Sequence, residues 1–325
     1  MNKVESALQR TTDTKDLIIG NGVVARTAEM FAKLFPGKSA IIVADLNTWE
    51  VAGKAVFASL EAAAIPQEKP FIFTDEELYA EWKHVEKLQA HLKNLDVVAI
   101  AVGSGVMNDL TKYVSHTLSR KYMCVGTAAS MDGYTAYGAS ITKDGNKQTF
   151  DCPAPYGFVM DPVIAADAPK ELAASGYADL IAKIPAGADW MLADVTGNEA
   201  IDKFAWDLVQ DGLRESLADP AAIYAGDVAK TECFLCSLHL LSPCKDIRCI
   251  EGEVMCKLSH FGKRSVHISC NCFSDAGKRS VFVSCFFLDF GSCCLRSFCC
   301  GCFSFRSFSS GSCWCSCRSG LRRSL

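Results

Sequence analysis

Val97-Val98-Ala99-Ile100-Ala101-Val102-Gly103-Ser104-Gly105-Val106-Met107-Asn108-Asp109 is the stretch that decides how this chain reads. The apolar run Val97–Val102, rich in valine and isoleucine, has the length and composition of a strand buried in a sheet. The segment Val106–Leu118 behind it reads as an amphipathic helix. Glycines between a strand and a helix let the backbone approach a phosphate closely. The free N–H groups of the helix start then supply donors and positive potential. A tight turn with no ligand accounts for the same residues, because the third glycine of the dinucleotide fingerprint is missing.

Outward from this segment, short apolar runs alternate with helix-length segments. Leu17–Ile19, Ala40–Ala44, Phe71–Phe73 and Tyr122–Val125 read as further buried strands. Ala25–Leu34, Thr48–Ala63 and Glu76–Leu92 read as the helices between them. This alternation predicts βαβ units and a mostly parallel sheet, with ligands at the C-terminal strand ends. Ser140–Thr142 and Gln148–Phe150, around Asp144-Gly145-Asn146, predict a hairpin. After Asp161-Pro162 the pattern is helical, through Pro169–Ser175, Ala178–Ile184, Ala188–Asp194 and Ala200–Ala218. The expected organisation is a Rossmann-like α/β dinucleotide domain at 1–160, the start of an all-α domain at 161–230, and an aberrant tail at 231–325.

The tail stands apart by composition. Residues 231–325 hold 12 Lys/Arg against 6 Asp/Glu and 16 of the 18 cysteines, whereas residues 1–230 carry a net charge of −10. That acidic body gives no reason to expect nucleic-acid binding. Its two cysteines, Cys124 and Cys152, and a polar Met1–Lys15 unlike a signal peptide, point to a reduced cytoplasmic setting. The apolar run Phe286–Phe303 is interrupted by Asp289 and Arg296 and is too short for a membrane span. Cysteine runs such as Cys299-Cys300-Gly301-Cys302 do not match a zinc framework, and we read the tail as an out-of-frame translation. The alternative is a genuine cysteine-rich metal-binding or lipid-modified tail, in which Cys233-Phe234-Leu235-Cys236 is the best metal candidate.

Three more segments carry candidate chemistry. Gly20-Asn21-Gly22-Val23-Val24-Ala25 also fits a glycine-rich phosphate loop, and Asp45, ending the next strand, is placed to accept bonds from a ribose or to cap the helix near Thr48. Two glycine loops cannot hold one pyrophosphate, and physical reasoning leaves the choice open. Thr127-Ala128-Ala129-Ser130-Met131-Asp132-Gly133-Tyr134 combines small residues, hydroxyls and a carboxylate that could orient a substrate hydroxyl. Gly176–Lys183 opens a helix in which Asp179 is either a dipole partner or a hard oxygen ligand for Zn²⁺ or a similar cation.

Taken in order, these loops resemble the glycerol-1-phosphate dehydrogenases of the iron-containing alcohol dehydrogenase and dehydroquinate synthase superfamily. The resemblance rests on Val43–Thr48, Gly103–Lys112, Val125–Thr135, Asp161-Pro162 with Ala168-Pro169, and Gly176–Lys183 followed by Asp189-Trp190, and spans about residues 15–230. It implies that Asp45 contacts the ribose side of NAD(P), and that Gly103, Ser104, Gly105, Val106 and Met107 cradle its pyrophosphate. Thr127, Ala128, Ala129 and Ser130 would line the nicotinamide. Asp132 and Asp179 would meet substrate, with Asp179 also holding a divalent metal (zinc or nickel, with iron as the alternative). The implied reaction is reversible hydride transfer between NAD(P)H and dihydroxyacetone phosphate, giving glycerol 1-phosphate for glycerophospholipid biosynthesis. Asp45 favours NAD over NADP, since it would repel a 2′-phosphate. The implied assembly is a homo-oligomer.

The chain departs from that family in two places. Ala136 stands where a serine usually contacts the cofactor. The two histidines that complete the metal site, in a Gly-Ala-Glu-His and a Ser-His segment, have no counterpart in context, and Leu258-Ser259-His260 mimics the second only by coincidence. A catalytic zinc takes three protein ligands, so activity is expected to be impaired. The competing readings are an inactive nucleotide-binding remnant, another superfamily member such as glycerol dehydrogenase or dehydroquinate synthase, and a cysteine-rich module fused to a Rossmann-like domain. A shortened helical domain is further expected to expose apolar faces around Ala205–Leu213 and to be poorly soluble.

Overall fold

The structure, a computed structural model, describes residues 8–9, 11–210, 212–240, 267–268 and 319–320. Most of the tail therefore lies outside the described residues, including its reading as an out-of-frame product. Residues 252–325 form a unit separate from 1–251, and its described part is an antiparallel pair, His267–Ile268 with Ser319–Gly320.

Six parallel strands make the central sheet: β1 (Asp16–Ile19), β2 (Ser39–Asp45), β3 (Phe71–Phe73), β4 (Val97–Gly103), β5 (Tyr122–Gly126) and β8 (Gly157–Met160), in the order β1-β8-β5-β4-β2-β3. All seven residues of β4 and all five of β5 are buried, which is why these segments are continuously apolar rather than alternating. One face packs α1 (Thr27–Leu34) and α2 (Lys54–Ala62), whose Met30, Phe31, Val56 and Leu60 meet Ile42, Ile100, Val102 and Val125. Near the opposite face lie α3 (Trp82–Leu92) and α4 (Gly105–Thr117), which pack on each other. The hairpin β6 (Ala139–Lys143) and β7 (Asn146–Phe150) turns at Asp144-Gly145, both with positive φ (51° and 75°), the two-residue geometry that favours Asp-Gly. It is tied to α3 and α4 by Trp82, Tyr113 and Phe150, with the Lys143 ammonium 3.7 Å above the Trp82 ring.

Beyond β8 come α5 (Pro162–Asp167), α6 (Lys170–Val195), α7 (Lys203–Gln210), α8 (Leu213–Ser216), α9 (Pro220–Ala225) and α10 (Val228–Leu240). Several boundaries differ from the sequence expectation. β8 was not expected; its four residues sit between β1 and β5 and complete the sheet. The helix expected from Glu76 starts at Trp82, because the Ala80 carbonyl accepts from the Thr142 N–H of the hairpin instead of closing a helical turn. Pro169–Ser175, Ala178–Ile184 and Ala188–Asp194 merge into α6, where Gly176 and Gly187 are close-contact points rather than breaks and Pro185 lies inside the helix. The stretch Ala200–Ala218 divides at Gly212 (φ 88°). The composition break at Thr231 falls inside α10, which runs on to Leu240 with Thr231, Phe234, Leu235 and Leu238 buried.

Candidate dinucleotide and substrate site

β2 leads to β3 on one side, whereas β4 leads to β5 on the other, so the connections diverge between β2 and β4. A crevice opens at such a switch point, beyond the C-terminal strand ends. The β2–β4 register pairs Val43 with Ala101; continued two residues, it sets Asp45 beside Gly103. Gly103 in turn pairs with Gly126, and Gly126 with Met160. Asp45, the cradle and the loop after β5 thus leave the sheet at one level.

The cradle is built by close packing. A Cβ on Gly103 would lie 2.4 Å from Met107 Cγ and 2.8 Å from its Cβ, so only glycine lets the chain turn into α4 there. Gly103 and Met107 are buried, while Ser104, Gly105 and Val106 are partly exposed, with Ser104 as the N-cap and no side chain capping it. The first N–H groups of a thirteen-residue helix therefore face the crevice without a capping side chain. This arrangement fits a dinucleotide pyrophosphate. Asp45 caps the turn Leu46–Thr48: its Oδ1 accepts from the Thr48 N–H at 2.8 Å and its own N–H donates to Thr48 Oγ1 at 3.1 Å. Capping and ribose contact are compatible, since only Oδ1 is taken up by the cap.

The other glycine loop lies at the far side of the sheet. Gly20-Asn21-Gly22 follows β1, four strand spacings from β2, or roughly 19 Å. It leads into a single 3₁₀ turn, Val23–Arg26, rather than directly into an α-helix. At that distance Asp45 cannot serve as the ribose-binding carboxylate of this loop.

After β5, Thr127 donates its N–H to the Gly103 carbonyl at 3.2 Å, joining this loop to the cradle. Thr127, Ala128 and Ala129 are buried and Ser130 is partly exposed. The buried Tyr134 hydroxyl donates to the Ala128 carbonyl at 2.9 Å and lies 3.3 Å from Ser130 Oγ; burial holds it un-ionised, far above the usual phenol range. α6 crosses directly over this loop, and a Cβ on Gly176 would come within 2.0 Å of the Ala129 carbonyl oxygen. One turn on, Asp179 Oδ2 accepts from the Asp132 N–H at 3.4 Å, and after another turn Lys183 forms an ion pair with the Asp132 carboxylate. Asp132 and Asp179, both expected at the site, are brought together. Lys183, 8% exposed, carries no motif of its own, and only its i+4 spacing from Asp179 marks it in the sequence.

The divalent metal is a different matter. Among the described residues, no three His, Cys, Asp or Glu side chains converge on one point. Among the described residues, Asp179 has a second carboxylate and a lysine beside it, not the three protein ligands a catalytic zinc takes. The described donor set does not fit the metal. Cys233 and Cys236 lie on α10 as free thiols, and burial pushes Cys236 up to about 11, which disfavours the thiolate a metal needs.

The family model described as iron-containing alcohol dehydrogenase matches residues 18–169. Glycerol-1-phosphate dehydrogenase [NAD(P)+] of Bacillus velezensis is 28% identical over 263 residues, 79% of this chain and 63% of that one. The namesake from Methanoregula boonei is 32% identical over 191 residues, 59% of this chain and 51% of that one. This chain thus spans about half the length of the curated relatives it matches. Among solved structures, an iron-containing alcohol dehydrogenase from Thermotoga maritima superimposes with a TM-score of 0.59 at 17% identity, over 71% of this chain and 68% of that one. A glycerol dehydrogenase from Schizosaccharomyces pombe gives 0.55 at 19% identity, over 72% and 60%. These two structures establish likeness of fold. No described helix is long and apolar enough to cross a membrane.

Proposed function

We propose that the chain is an iron-containing alcohol dehydrogenase family member whose sheet edge binds NAD(P) and whose substrate class is that of the glycerol-1-phosphate dehydrogenases: dihydroxyacetone phosphate and glycerol 1-phosphate. The observation carrying this reading is the placement of Asp45 and Gly103 side by side at the switch point. The α4 N–H groups and Ser104 take the pyrophosphate, and the free oxygen of Asp45 takes a ribose hydroxyl. The loop 127–130 and Asp132 bound the space beyond, where substrate meets the nicotinamide. The dinucleotide, when bound, supplies or accepts the hydride. Asp132 accepts a hydrogen bond from a substrate hydroxyl while Lys183 balances its charge.

Turnover is impaired in this reading, because no three His, Cys, Asp or Glu side chains converge on one point among the described residues. Purified full chain titrated with NADH should enhance cofactor fluorescence saturably, and Asp45→Ala should weaken that affinity at least several-fold. NADH oxidation with dihydroxyacetone phosphate, with and without added Zn²⁺ or Ni²⁺, measures how much reaction survives. Absence of NADH binding by a folded chain would sink the proposal. Binding without any oxidation favours a nucleotide-binding remnant.

A further inference from the structure

The loop carrying Asp132 is held along one stripe of α4. Met131 covers Gly105, its Sδ 2.9 Å from where a Cβ would be. Asn108 Nδ2 donates to the Tyr134 carbonyl at 3.4 Å. The Lys112 ammonium donates to the carbonyls of Gly133 (3.1 Å), Ala136 (2.9 Å) and Gly138 (3.0 Å). Positions 105, 108 and 112 are three and four apart and so share a helix face. Lys112 is only 1% exposed, and an ammonium has three donors, all of them used here. Asp109, one turn back, supplies nearby negative charge and accepts from the Ser140 N–H at 3.2 Å, fixing the end of the same loop.

We propose that Lys112 is a positioning residue, which sets the Met131–Gly138 loop, and with it Asp132, at a fixed distance from the cofactor cradle. The significance of that distance rests on the dinucleotide-binding reading above. The cradle is the N-terminus of α4, and Lys112 lies seven residues along it, roughly 10 Å at helical rise. One rigid helix thus holds the pyrophosphate at its end and the substrate loop on its flank. The carbonyls of Gly133, Ala136 and Gly138 point to a common centre that only a multi-donor cation fills, since a neutral apolar side chain would leave all three unmet.

The test uses the full chain as Lys112→Met, Lys112→Gln and Lys112→Arg. Amide exchange is read by mass spectrometry on peptides covering 131–140 and 97–103, together with NADH affinity. Lys112→Met should speed exchange in 131–140 at least ten-fold, with 97–103 unchanged and NADH affinity within about two-fold of the parent. Lys112→Gln should fall between, and Lys112→Arg should restore parental exchange. If Lys112→Met does not fold, the graded order of Gln and Arg carries the test. Unchanged exchange in 131–140, an equal rise in 97–103, or failure of Arg to restore would overturn the proposal. Loss of NADH binding by the parent overturns the functional reading instead, and leaves the exchange result standing.

Discussion

Two glycines two residues apart separate stability from binding. A Cβ on Gly103 meets the fixed Cβ and Cγ of Met107, whereas one on Gly105 meets only the far end of the flexible Met131 side chain. Gly103→Ala should therefore cost about 1–3 kcal/mol in a denaturant titration. Gly105→Val should cost within about 1 kcal/mol yet weaken NADH binding ten-fold or more, because a branched side chain covers the helix N–H groups. Similar losses of stability in the two variants would contradict this. Asp109 gives a pH signature at the same scale. Burial raises its carboxyl from 3.8 to about 6, against the nearby Lys112 charge. The unfolded chain ionises first as pH rises from about 4 to 6, so this group makes folding less favourable across that window, by on the order of 3 kcal/mol. Asp109→Asn should remove that component, seen as a flatter dependence of the urea midpoint on pH between 4 and 6. A parental slope in the variant would refute the assignment.

At the scale of elements, the parallel strands were the most legible features, because burial on both faces leaves an unbroken apolar run such as Val97–Val102. β8 has no legible signal because four residues between Pro155 and Pro162 carry too little pattern, and only the neighbouring β1 and β5 define them as a strand. The sequence pattern divides α6 into three pieces because Gly176, Pro185 and Gly187 are local breakers. Tertiary packing at the two glycines overrides that preference. Of the candidate site, the motifs point to Asp45, the cradle, Asp132 and Asp179, whereas the contacts of Lys112 and Lys183 join segments distant in sequence and leave no motif. The Gly176 contact makes a sharp test of how α6 is seated. Gly176→Ala forces a Cβ toward the Ala129 carbonyl, a backbone atom that cannot swing aside. We expect a loss of about 2 kcal/mol or more, read as a drop in thermal midpoint of several degrees. A neutral Gly176→Ala variant would show that α6 does not rest on the loop 127–130.

For the molecule as a whole, the apolar exposure lies elsewhere than sequence suggested. Ala205, Leu208 and Leu213 are buried, because α7, α8 and α10 pack together. Among the described residues, the largest group of exposed apolar side chains on one element is on α6: Ile181, Ile184, Met191, Leu192 (63% exposed) and Val195 (84% exposed). Their spacing forms a second stripe, separate from the buried one of Leu180, Lys183, Gly187 and Trp190. A helix that exposes an apolar stripe beside its buried face has a surface suited to a further contact. At 1.5 Å per residue the stripe is roughly 21 Å long, enough apolar surface to drive contact between copies. The full chain is therefore expected to associate as its concentration rises, and light scattering after gel filtration would report mass above that of one chain. Ile184→Glu with Leu192→Glu places charge in the middle of the stripe without touching the buried face. That pair should move the mass toward a single chain and raise soluble yield, with NADH affinity unchanged because the crevice is built by β2, β4 and α4. Association that persists in the double variant would locate its cause away from α6.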